Sequence, residues 1–133
     1  MHSHRFVEHV GEIELAVEAA SEEALLVEAA AAFRELVDGS LAHGAPLRRE
    51  IELPVETPEL LLVDWLAELV FLAEVEGFVP GRVTELRLGG DRLHATVDGV
   101  RGRPRHLVKA VTLHDLAVTC DRGVWRGRVV LDV

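Results

Sequence analysis

Between Glu12 and Ala19 the apolar residues Ile13, Leu15, Val17 and Ala19 fall at every second position and alternate with a row carrying Glu12, Glu14 and Glu18; immediately afterwards the period changes. Period two is the signature of a strand with one wet face. Ser21 then offers a hydroxyl to a first helical turn, Glu22 and Glu23 suit its positive end, and Leu25, Leu26, Ala29, Ala30, Phe33, Leu36 and Val37 recur at helical spacing until Gly39 stops them. A second strand covers about Leu47 to Val55, where Ile51, Leu53 and Val55 alternate with Glu50 and Glu52. Thr57-Pro58-Glu59 opens a second helix that runs to about Glu76. Its Leu61, Leu62, Trp65, Leu66, Leu69, Val70 and Leu72 make it apolar around most of its girth, so sheet or partner must cover it. Two hairpins follow: Val83 to Leu88 turns through Gly89-Gly90-Asp91 into Arg92 to Asp98, and Val108 to Cys120 turns through Asp121-Arg122-Gly123 into Val124 to Val133. This order predicts an α+β fold with two helices packed on one side of a mainly antiparallel or mixed sheet, in one domain over residues 1–133.

A chain of 133 residues can bury roughly two thirds of its unfolded surface, which is enough for a core without staples. Its 49% hydrophobic and 28% charged content is that of a packed globular protein. Cys120 has no second cysteine to pair with, no apolar run reaches the ~20 residues of a membrane span, and Met1-His2-Ser3-His4-Arg5 leads into no signal-like stretch. The expected address is the cytoplasm, without a membrane, and the first residues are expected to fray, with metal binding by His2 and His4 as the alternative. A formal net charge of −9 argues against strong direct binding to a nucleic-acid backbone, which needs many cations facing one way. The local exception is Arg101, Arg103, Arg105 and Lys109, beside Gly102 and Pro104, which reads as a solvated loop or as a surface for an acidic partner.

Thirteen of the fourteen cationic side chains are arginine, and Lys109 is the only lysine. An ammonium is a compact charge with rotatable donors, whereas guanidinium is a broad planar fork, so a site that needs the first can reject the second. Alternation puts Lys109 on the side of Val111 and Leu113, with Thr112 and His114 facing the other way. A cation on an apolar row must find a carboxylate or reach solvent; Glu12 and Asp132 are the candidates if the head and tail strands run side by side. Glu8, Glu12 and Asp132, with main-chain carbonyls and water, are also the oxygens from which a Ca²⁺ or Mg²⁺ site would be assembled. Other chemistry is poorer: His114-Asp115 lacks a positioned nucleophile, Cys120 lacks an adjacent base, and no helix follows Gly89-Gly90 to cradle phosphate. Asp64 and Glu68, one turn apart, read as a solvated helix face.

Head and tail taken together, His9-Val10-Gly11-Glu12, Leu61-Leu62-Val63-Asp64-Trp65-Leu66-Ala67-Glu68, Val108-Lys109-Ala110-Val111-Thr112-Leu113-His114 and Leu131-Asp132-Val133, the chain resembles the archease family over nearly its whole length. That resemblance implies an archease-like α+β fold related to the strand-helix-strand-strand module. It also implies a chaperone-like accessory protein for RtcB-type RNA ligases in tRNA splicing or RNA repair, which promotes guanylylation and repeated turnover of the ligase without being an enzyme itself. It carries the lysine presented to the ligase onto Lys109 and the divalent-cation acids onto Glu12 and Asp132, with Glu8 as a further acid. Glu12 and Glu8 stand where the family has aspartate, and Val10-Gly11 replaces Thr-Ala. A longer glutamate is absorbed more easily by the flexible shell of Ca²⁺ than by the octahedral shell of Mg²⁺.

Two other readings use the same residues. In one, the acids serve a small metal-dependent phosphoester hydrolase with His9 as general base, which predicts turnover by the isolated chain. In the other, the second helix or the Arg101 to Arg105 loop docks a partner and no metal enters.

Overall fold

The computed structural model describes residues 1–37 and 43–133. In chain order its elements are β1 (His2–His9), β2 (Glu12–Ala19), α1 (Glu22–Leu36), β3 (Pro46–Pro54), α2 (Pro58–Glu74), β4 (Phe78–Gly89), β5 (Arg92–Arg101), β6 (Ala110–Asp121) and β7 (Val124–Asp132). The strands form a four-stranded sheet of order β1-β2-β7-β6 and a three-stranded sheet of order β3-β5-β4, with every pairing antiparallel. The α+β class is as the periodicities predict, and the strands are divided between two sheets.

The local signals act as expected at both helix starts. Ser21 Oγ accepts from the Ala24 N–H at 3.0 Å and Thr57 Oγ1 from the Leu60 N–H at 3.1 Å, each satisfying a donor that the first turn leaves open. At the other end of α1 the Val37 N–H donates to the Phe33 carbonyl at 3.0 Å; Gly39, the expected stop, lies outside the described residues. β4 begins at Phe78, ahead of the expected Val83, because register shifts at Pro80/Arg82 and Val83/Glu85 break the alternation by which a strand is recognised.

Both helices touch both sheets: α1 packs on β1, β2, β7 and β4, and α2 on β6, β7, β3 and β4. This double contact is why α2 is apolar around most of its circumference. Trp65, fully buried, donates its Nε1–H to the Leu26 carbonyl of α1 at 2.8 Å, a bond that joins the helices inside the core. β7 comes so close to this layer that a Cβ on Gly127 would meet Leu62 Cδ2 and Val17 Cγ2, each at 3.1 Å.

The first residues do not fray. β1 pairs along the whole of β2, with His4 opposite Val17 and His2 opposite Ala19, so both imidazoles lie on the helix side of the edge strand. His2 Nδ1 and His4 Nδ1 each bond one carboxylate oxygen of Glu28, and His4 Nε2 bonds Glu35 Oε2 at 2.7 Å. The Glu28 carboxylate is buried, and the His4 side chain is only 17% exposed. A ring whose two nitrogens both face ionised carboxylates must carry both protons, so His4 is an imidazolium that ties β1 to α1. Burial works against that charge, but Glu28 and then Glu35 outweigh it and hold the His4 pKa above its ordinary 6.5. β1 shows no apolar alternation in the sequence, because His2 and His4, with Phe6 edge-on to His4 at 5.5 Å, form an alternating row that is not apolar by composition.

Two measurements probe this core. Trp65→Phe loses one buried hydrogen bond and leaves a cavity, so urea denaturation is expected to show a loss of about 2 kcal/mol. Because the His4 pKa is raised in the folded state, its contribution is full below pH 6.5 and disappears as pH rises through the folded value. The stability difference between the native chain and His4→Phe is therefore expected to be largest near pH 6 and to shrink toward pH 9; a difference independent of pH would show that the ion pair contributes nothing.

Candidate functional site

The pairing of β2 with β7 brings head and tail together. Glu12 is the cross-strand partner of Asp132, Asp132 is the partner of Ala110, and His9 is the partner of Glu12. Cross-strand partners project from one face. His9, Glu12 and Asp132 therefore form a single row at one end of the four-stranded sheet, with Glu12 half-buried and Asp132 exposed. The row is closed at its edge by the tight turn Val10-Gly11, whose Gly11 takes φ +75°, a conformation that costs glycine nothing. Two main-chain bonds lock the same corner: the Lys109 N–H donates to the Asp132 carbonyl at 2.8 Å, and the Val133 N–H donates to the Gly11 carbonyl at 3.1 Å.

Lys109 thus lies beside Asp132 through its backbone while its side chain is exposed, and among the described residues it makes no ion pair within 4.0 Å. Of the two outcomes open to a cation at this position, the structure takes solvent. Glu8 is paired with Ile13, one position out of phase with Glu12, and so belongs to the opposite face. There it lines a hollow of about 480 Å³ with Phe6, Ile13, Glu35, Leu36, His106, Leu107 and Val133. The two facing carboxylates that remain are hard oxygen donors suited to a hydrated hard cation. No three His, Cys, Asp or Glu side chains group as a metal set among the described residues.

The alternation assumed for the lysine segment holds only to Thr112. In β6 Thr112 pairs with Val130 and Ala117 with Arg128, so the four residues from Leu113 to Leu116 stand opposite Val129 alone. They form a bulge in which Leu113 is 64% exposed and His114 lies 3.3 Å from the Asp115 carboxylate. Asp115 takes φ +54°, and its carbonyl accepts from Arg128 Nε at 3.0 Å. The one local hint was that aspartate tolerates left-handed backbone better than most residues, which does not by itself locate a bulge.

The other charged candidates are dispersed. Arg103 and Arg105 line a hollow of about 460 Å³ with Glu74 and Glu76 at the end of α2, and the Arg105 N–H donates to the Val37 carbonyl at 2.9 Å, so the basic loop packs on the helix ends beside acidic residues. Asp64 is exposed on α2, its carboxyl held above the usual range by partial desolvation and the nearby Glu56 charge.

Residues 4–133 match the family described as Archease protein family (MTH1598/TM1083). Among curated relatives, the archease of Methanopyrus kandleri is 34% identical, covering 96% of each chain, and that of Methanosarcina mazei is 32% identical, covering 98% of this chain and 95% of its own. The solution structure of Protein 1598 from Methanobacterium thermoautotrophicum superposes with a TM-score of 0.75 at 28% identity over 98% of both chains. The crystal structure of a Thermotoga maritima archease, described as a possible chaperone, gives 0.71 at 26% identity over 96% of this chain and 94% of its own. With the fold, the joined head and tail and a match spanning all the elements, the chain belongs to the archease family.

Proposed function

We propose that this chain is a cytoplasmic accessory protein that promotes guanylylation and multiple turnover of an RtcB-type RNA ligase in tRNA splicing or RNA repair, and is not itself the ligase. The observation that carries this reading is the corner at which Glu12 faces Asp132 and the Asp132 carbonyl holds the backbone of Lys109. Membership in the family supports an accessory role, in line with the chaperone description given to the Thermotoga relative.

The exposed Lys109 ammonium, which no carboxylate of its own chain engages among the described residues, would reach a partner's phosphate. Its N–H bond to Asp132 sets the base of the side chain and leaves its end mobile enough to follow a transferring group. Glu12 and Asp132 would hold a divalent cation, Ca²⁺ or Mg²⁺, whose charge when bound stabilises negative phosphate oxygens. Projecting from one face of adjacent strands, the two acids need little rearrangement to share one ion. Leu113 and His114, raised by the bulge next to the lysine segment, give the partner an apolar and a hydrogen-bonding contact on the same edge.

Lys109→Arg keeps the charge and changes its shape. It is expected to lower ligase guanylylation about tenfold, as loss of one charge-assisted contact of about 1.5 kcal/mol would do; an unchanged rate removes the lysine from the mechanism. Replacing Glu12 with Gln and Asp132 with Asn together is expected to abolish calorimetric Ca²⁺ binding and ligase activation while circular dichroism stays native. Activation that survives this double change would assign the corner to docking alone.

A further inference from the structure

The face of the four-stranded sheet turned away from the helices has two poles. Its register rows run His9, Glu12, Asp132, Ala110; then Val7, Glu14, Val130, Thr112; then Arg5, Ala16, Arg128, Ala117; then Ser3, Glu18, Arg126, Thr119. The first two rows carry Glu12, Asp132 and Glu14, and the last two carry three arginines against the single carboxylate of Glu18. From Asp132 to Arg128 is four residues along β7, roughly 13 Å at about 3.3 Å per residue, so the basic pole lies apart from the corner discussed above.

We infer that this basic pole is a binding site for a dianionic phosphate group, held between the guanidinium groups of Arg5 and Arg128 over the small floor of Ala16 and Ala117. Alanine at the two floor positions removes side-chain bulk between and beside the arginines, and an open hollow of about 470 Å³ results, with the Ser3 and Thr119 residues at its margin. Arg126 is engaged by Glu18, Nε to Oε2 at 3.3 Å, so those two charges offset each other. Arg5 makes no ion pair among the described residues, and Arg128 bonds only a neutral carbonyl. Among the described residues, two positive charges are thus left without an ion pair within 4.0 Å in a protein whose formal net charge is −9.

Arg128 is also pre-oriented. Its Nε–H is held at 3.0 Å by the carbonyl of Asp115, the residue that takes φ +54° in the β6 bulge. A non-glycine residue in that region costs free energy, and such strain persists where the surrounding structure over-determines it. Here the strained carbonyl fixes the root of the guanidinium and leaves its two terminal nitrogens as a fork, the geometry that receives two oxygens of one phosphate. The paired charges favour a phosphate monoester or inorganic phosphate, with two negative charges, over a diester or carboxylate with one. The two rows of the basic pole carry no aromatic side chain on which a base would stack, so it is the phosphate and not a nucleobase that is recognised.

The site is tested by titrating inorganic phosphate into the full-length ¹⁵N-labelled protein at constant ionic strength, with chloride as the control anion. Shifts confined to the amides around Ser3, Ala16, Thr119 and Arg128 are expected, and they should saturate. Arg5→Gln and Arg128→Lys are each expected to weaken binding about tenfold, the second although charge is kept, because lysine lacks the fork and the Nε anchor. Glu18→Gln, which removes the local negative charge, should tighten it. A nucleoside 5′-monophosphate that binds like phosphate while its nucleoside does not would place the group on a small ligand; a 5′-phosphorylated oligoribonucleotide binding far more tightly than either would place it on an RNA end. Absence of local saturable shifts, equal shifts with chloride, or undiminished binding in the Arg5→Gln/Arg128→Lys double variant with a native spectrum overturns the proposal. Ligase activation is read separately, so its failure and the failure of phosphate binding are distinct results.

Discussion

The antiparallel pairing of β2 with β7 is the interaction on which the rest of the structure depends. It joins the beginning and end of the described chain in the middle of the four-stranded sheet, with β1 and β6 flanking the joined pair. One register then sets two things at once. On the helix side it aligns Leu15 with Val129 and Ile13 with Leu131, and on the open side it sets Glu12 against Asp132 and Ala16 against Arg128. A slip by one residue would move the apolar set to solvent and the charged set into the core, so the burial of Leu15, Val17, Val129 and Leu131 specifies the position of every charged residue on the other face.

Around that pair the molecule is built as an apolar filling between two sheets. α1 and α2 each contact both sheets, and their shared core includes Phe33, Trp65 and Leu69. The Trp65 indole makes the helix pair more than an oily contact, since its N–H reaches a carbonyl of the neighbouring helix and so favours one relative position. Gly127 allows β7 to lie close under Leu62, and the same strand carries Arg126 and Arg128 outward on either side of that glycine. Close packing on one face and charge presentation on the other are thus adjacent positions of one strand.

The edge of the four-stranded sheet is managed by charge. β1 has one neighbour, and an edge of this kind is a template for unwanted pairing unless something marks or covers it. Here Arg5 faces outward while His2 and His4 reach back to Glu28 and Glu35 of α1, fastening the strand to the helix layer. The opposite edge strand, β6, is interrupted by its bulge, which twists the ladder and turns Leu113 and His114 out of line.

The amino-acid sequence by itself determined the helices and most of the strands, because amphipathic period and capping chemistry act over a few residues: Ser21 and Thr57 cap the helices they were expected to cap, and β2, β3 and β5 follow their alternation. It also named Glu12, Lys109 and Asp132 as residues worth following, through the isolated lysine and the family likeness. Only the tertiary structure decided that Glu12 meets Asp132, that Glu8 falls on the other face, and that the Lys109 side chain stands in solvent. It alone made His4 a half-buried partner of two glutamates distant in the chain, and broke β6 after Thr112 so that an aspartate carbonyl could orient Arg128. The division has one physical reason: local periodicity reports which face of an element is apolar, whereas partnership between distant side chains depends on strand register and bulges, which are set by packing across the whole core.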